Sequence, residues 1–165
     1  MVAELDIDLD IAADAWRANC AEIEDIVGRA ARAACESFAA LPDRAELSIV
    51  LGDDSLISEL NLEWRGKSGA TNVLSFPAQD PGAPGRPRHF GDVVLAVETI
   101  AREADEQGKT FDHHVAHLVV HGVLHLLGYD HETDADAADM ERLEVAALGR
   151  LGVPDPYRSA EPAAE

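Results

Sequence analysis

The spacing of apolar residues changes along this chain, and each change marks an element. Leu5, Ile7, Leu9 and Ile11 alternate with Asp6, Asp8 and Asp10, the two-residue period of a strand with one buried face. From Asp14 to Ala40, the residues Trp16, Cys20, Ile23, Val27, Ala30, Ala34 and Phe38 recur every three or four positions. That spacing predicts one long helix with a single apolar stripe, stopped by Pro42 and Asp43. Leu47 to Leu51 reads as a second strand. A short helix capped by Asp54 or Ser55 runs to about Trp64, and a third strand spans Asn72 to Phe76, ended by Pro77. Pro81, Pro84 and Pro87, with Gly82 and Gly85, predict an irregular loop from Ala78 to Arg88.

Asp92 to Val97 is expected as the fourth strand. Helices follow over Glu98–Gln107, Phe111–Leu127 and Asp134–Leu151, closed by Gly108, Gly128 and Gly152. The resulting order, β-α-β-α-β-β-α-α-α, predicts an α/β (α+β) single domain. Its mixed sheet of about four strands packs with about five helices. Residues 1–153 are expected to form that domain, and the Pro-, Ala- and Glu-rich residues 154–165 a frayed tail.

Composition narrows the class. No apolar run approaches the roughly 20 residues of a membrane span, and the acidic N-terminus lacks the features of a secretory signal. The cysteines number two, too few for a disulfide scaffold, so a reducing, cytoplasmic setting is expected. Both cysteines are expected in the core of the first helix. The formal charge of −19 disfavours nucleic acid, which binds through phosphate neutralisation, unless a local basic patch exists. One segment qualifies: between Arg65 and Gly91 lie Arg65, Lys67, Arg86 and Arg88 against a single acid, Asp80. These four basic residues are the candidate phosphate contacts.

The chemistry concentrates in His121-Gly-Val-Leu-His125-Leu-Leu-Gly128-Tyr-Asp-His131. Residues i and i+4 of a helix share a face, so His121 and His125 can reach one ion. Gly128 permits a reversal that returns His131 as a third ligand. Three neutral imidazoles suit one Zn²⁺ and leave a fourth position open, the arrangement of a catalytic site. His113, His114 and His117 continue the row and are expected in packing or surface roles, as is His89. The spacing matches the HExxHxxGxxH motif of the metzincin peptidases except that Gly122 replaces the glutamate, their general base. That replacement counts against peptide hydrolysis by their route.

HGVLHLLGYDH also resembles the central motif of the YbeY family, the bacterial rRNA maturation factors described as metal-dependent endoribonucleases. Asn61-Leu-Glu-Trp-Arg65-Gly-Lys67 with Thr71-Asn-Val-Leu-Ser-Phe-Pro77 resembles that family's second motif. Gly91-Asp-Val-Val-Leu-Ala resembles its Gly-Asp strand, and Asp130-His131-Glu132-Thr133 completes the pattern. The resemblance covers Leu47 to Gly152. It implies zinc held in a cleft by His121, His125 and His131, with Arg65 facing that cleft as the catalytic arginine. It also implies action on single-stranded RNA in small-subunit rRNA 3′-end maturation and ribosome quality control, with the ribosomal small subunit or its proteins as partners. Two other readings compete: a metzincin-like metallohydrolase, and a ribosome-assembly factor whose zinc is mainly structural.

Overall fold

The alternating N-terminal segment needs a neighbour for its edge and a cover for its apolar face, and it finds both. The computed structural model describes residues 4–37, 44–78, 88–130 and 132–157. Strand β1 (Glu4–Ile11) pairs in parallel with β2 (Arg44–Gly52), Leu5 opposite Ala45 and Leu9 opposite Ile49. The edge strand β3 (Val73–Pro77) runs antiparallel to β4 (Arg88–Ala96), which pairs in parallel with β2. The sheet order is β1-β2-β4-β3. A parallel pair requires a crossover, and helices supply each one.

Six helices are described: α1 (Ala15–Asn19), α2 (Ile23–Glu36), α3 (Asp54–Arg65), α4 (Val97–Gln107), α5 (Phe111–Leu126) and α6 (Asp134–Arg150). The mixed α/β architecture is as expected, with one helix more. The single helix expected from Asp14 to Ala40 is divided at Cys20, whose backbone is extended at φ −154°, ψ 111°. Trp16 explains the break. Its Nε1 donates to Gly52 O at 2.8 Å and its ring meets Phe111 at 5.7 Å, whereas α2 packs on α5, α6 and β1. One straight axis cannot serve both sets of partners. Residues 38–40 of that expected helix lie outside the described residues. Both cysteines are buried, and burial pushes the Cys35 thiol up to about 12, which makes it a poor nucleophile.

The two sheet faces differ. Leu47, Ile49, Leu51, Val93 and Leu95 point toward α2, α5 and α6 and form the main core. Leu74, Val94 and Ala96 face the other way, against Ile57 of α3. On that second face α3 contacts β3 and β4, and Asp6, Asp8 and Asp10 of β1 stay exposed. Helix α5 is apolar almost all round because it is the central element, packed on β3, β4, α2, α4 and α6.

Strand β4 begins at Arg88, four residues before the expected start. Phe90 O accepts from Ala78 N at 3.0 Å, and His89 pairs with Glu46. Beyond this pair the register shifts: Glu46 matches His89 but Ser48 matches Asp92, so Phe90 and Gly91 together oppose Leu47. This bulge puts His89 and Asp92 on one face, where plain alternation would separate them.

Close packing of α5 on the sheet explains Gly122. A Cβ there would lie 2.8 Å from Val93 Cγ1, 3.2 Å from Ser75 Oγ and 3.3 Å from Val73 Cγ2. Ser75 Oγ also donates to Gly122 O at 2.9 Å. Alanine at 122 would gain about 1 kcal/mol of helix propensity. It would also push α5 off a stiff β-branched neighbour, and overpacking typically costs about 1–3 kcal/mol. Gly122→Ala is therefore expected to lower stability in urea unfolding; a more stable variant would contradict this packing.

Candidate functional site

Three local devices assemble the site. The first is the end of α3. Asp53 caps its start by accepting from Leu56 N at 2.9 Å, and Gly66 ends it at φ 66°. Buried Asn61 donates to Gly69 O at 3.0 Å, tying down the following loop. Arg65, in the last turn of α3, reaches the open edge of the sheet and donates from Nη2 to Ser75 O at 3.0 Å. Its guanidinium also lies 5.9 Å from the Phe76 ring centre.

The second device is α5 and its exit. His121 and His125 share a helix face, and their Nε2 atoms are 3.1 Å apart. Beyond them Gly128 turns the chain at φ 104°, with its N–H on His125 O and that of Tyr129 on Leu124 O. His121, His125, Gly128, Tyr129 and Asp130 line a cavity of about 380 Å³, and Arg65 and Ser75 form its other wall.

The third device is Glu144, fully buried on α6. His121 Nδ1 lies 2.6 Å from Glu144 Oε2, and His117 Nε2 lies 2.9 Å from Oε1. The Tyr157 hydroxyl donates to Oε1 as well. Burial alone would raise this carboxyl; hydrogen bonds from His117 and His121, the charge of His121 and the Tyr157 bond reverse that and hold it down at about 2. An ionised carboxylate only accepts, so the neutral form of His121, the form that binds a metal, carries its proton on Nδ1. That tautomer leaves the Nε2 lone pair directed at His125 and the cavity.

The histidine pair fits a metal. Two nitrogens bound tetrahedrally to zinc at about 2.0–2.1 Å stand roughly 3.3 Å apart, close to the 3.1 Å found between the two Nε2 atoms. Among the described residues no group of three metal-capable side chains is assembled. The expected third ligand, His131, lies outside them.

The basic residues divide. Arg65 shares the histidine cavity. Lys67 is exposed in the loop after α3. Arg88 belongs to β4 rather than to a loop, and lies 4.6 Å over the Phe90 ring. Arg86 is outside the described residues. Of the other histidines, His114 is buried, 2.9 Å from Glu103, which also accepts from Asn72. His117 belongs to the Glu144 cluster, and His89 faces Glu46 and Asp92. The expected tail begins at Pro154; its residues 154–157 are described, and Lys109 Nζ donates to Pro156 O at 3.4 Å.

Glu144 and Tyr157 were not among the residues singled out from sequence. A signal for Glu144 exists: it stands within the row Met140, Leu143, Ala147 and Leu148, where an apolar residue is expected. Gly122 answers the peptidase comparison, since a side chain at that position would run into Val93, Ser75 and Val73 of β3 and β4.

A mixed sheet under a central apolar helix, with paired imidazoles facing an arginine across one cavity, defines an α/β protein with a histidine–arginine site. The model of the family described as endoribonuclease YbeY matches residues 10–152, and the chain belongs to that family. An endoribonuclease YbeY from Bradyrhizobium sp. (strain BTAi1) is 52% identical over 155 residues, covering 92% of this chain and 91% of that relative. Another, from Rhodopseudomonas palustris (strain BisB18), is 53% identical over 150 residues, covering 89% of each chain. The solution structure of TM1509 from Thermotoga maritima has the same fold, with a TM-score of 0.56 at 20% identity, covering 96% of this chain and 99% of that one. No helix among the described residues is long and apolar enough to cross a membrane.

Proposed function

We propose that this chain is a zinc-dependent endoribonuclease cutting single-stranded RNA, with His121, His125 and His131 holding one Zn²⁺ and Arg65 acting on the scissile phosphate. The observation that carries the reading is the convergence of the His121 and His125 Nε2 atoms at 3.1 Å on a cavity that Arg65 also lines. Bound zinc supplies Lewis acidity and makes water a nucleophile near neutral pH. The chain's own residues do the rest. Glu144 holds His121 in the tautomer that offers Nε2. Arg65, steadied by Ser75 O, turns its remaining N–H donors to the phosphoryl oxygens as charge builds on them. Lys67, Arg86 and Arg88 lend positive charge to the approach of a strand toward an otherwise acidic body.

The setting is small-subunit rRNA 3′-end maturation and ribosome quality control in the cytoplasm, a reading that rests on the motif resemblance and on relatives named endoribonuclease YbeY. A net charge of −19 suits basic partners such as small-subunit ribosomal proteins.

The test is cleavage of single-stranded RNA by the zinc-loaded protein beside His125→Ala, with metal content measured in both. The wild type is expected to cut, and the variant to lose metal and cleavage together. Equal cutting by both would overturn the reading.

A further inference from the structure

A second cavity, of about 700 Å³, lies on the α3 side of the sheet. It meets the histidine cavity at Arg65, Ser75 and Pro77, which line both. The two therefore adjoin at the open edge of β3, with one guanidinium at the junction. The volume falls within the roughly 300–1,000 Å³ typical of small-ligand sites.

Its wall carries Trp64, which is 65% exposed. A large aromatic in water needs a reason. Phe76 holds it edge-on, with ring centroids 6.5 Å apart and planes at 63°. Residues Val50, Leu60 and Val94 supply apolar floor, and the β4 bulge adds His89 and Asp92, two groups that can hydrogen-bond. The other strongly exposed apolar residue of α3 is Leu62. Two residues apart on a helix, Leu62 and Trp64 face about 200° apart, so they do not form one apolar patch of the sort that docks a protein. An exposed aromatic face beside a cation and polar groups matches what single-stranded nucleic acid uses: a ring for the base and a positive charge for its phosphate.

Resting on the endoribonuclease reading, we infer that this groove is a nucleotide subsite: a base of the single-stranded substrate stacks on Trp64 with its polar edge toward His89 and Asp92, while its phosphate lies at Arg65. The strand then runs around the β3 edge into the histidine cavity. A base already paired and stacked in a duplex cannot take this position, so the subsite selects for single strands.

Binding of a six-nucleotide oligoadenylate to the full chain, with chelator present so that the probe stays intact, tests this. The chain has two tryptophans; Trp16 is buried, with its Nε1 on Gly52 O, so quenching by the probe reports Trp64. The hexamer is expected to quench wild-type fluorescence, and the same sequence in a duplex is not. By fluorescence anisotropy, Trp64→Ala should weaken hexamer binding by about five- to a hundredfold, and Trp64→Phe should retain most of the affinity. Equal binding by the wild type and Trp64→Ala, or an unquenched Trp64 in a protein that does bind and cut RNA, overturns the subsite and leaves the endoribonuclease reading intact. A wild type that neither binds the hexamer nor cuts RNA overturns both.

Discussion

Arg65→Ala is expected to reduce RNA cleavage by about a hundred- to a thousandfold, the usual cost of losing a donor that stabilises charge in the transition state. The fold should barely notice. Arg65 is exposed, and among its contacts is one hydrogen bond to a carbonyl on the sheet edge, where water can replace it for about 1 kcal/mol or less. Metal content should also hold, because the histidines on α5 do not depend on Arg65 for their geometry. Arg65→Lys should recover only part of the rate: an ammonium supplies charge but not the planar fork that both engages Ser75 O and faces a phosphate. Cleavage rates, zinc content and urea midpoints measured together decide the matter. A fully active Arg65→Ala would remove Arg65 from the chemistry.

Glu144 should show the opposite profile, with large effects on stability and metal. Its two oxygens serve His117, His121 and Tyr157, and the carboxylate itself is fully buried. Alanine would strip all three of their acceptor, and breaking a buried charged network in this way costs about 3–5 kcal/mol. Glu144→Gln keeps the volume but no longer holds His121 Nδ1 with a charge. Loss of such a ligand-orienting carboxylate typically lowers metal affinity about 10- to 100-fold. Urea unfolding of Glu144→Ala and a zinc competition titration of Glu144→Gln check the two halves. Unchanged zinc affinity in the glutamine variant would mean that the carboxylate stabilises α5 against α6 without orienting His121.

Much of this molecule is legible without coordinates because the signals are local. Strict alternation in Leu5–Ile11 can only be satisfied by a strand with one buried face. The i, i+4 pair His121 and His125 shares a helix face by the helical repeat alone, and the apolar sequence around it marks α5 as the central helix. The family motifs carried the resemblance for the same reason: they are short stretches whose order along the chain survives without a structure.

What the tertiary structure decided involves partners distant in the chain. The break at Cys20 follows from Trp16 binding Gly52 O, 36 residues away, which no helical periodicity encodes. The early start of β4 and its bulge come from pairing with Glu46 and Ala78, and only that register puts His89 and Asp92 on one face. Gly122 reads as a missing peptidase glutamate in sequence; in the fold it is the gap that admits Val93 and Ser75. Arg65 meets the histidines across the edge of β3, from the opposite side of the sheet. Glu144 joins them from α6, 23 residues after His121. Periodicity reports which face of an element is buried; which groups meet there depends on strand order and crossovers, and these are set by packing across the whole chain.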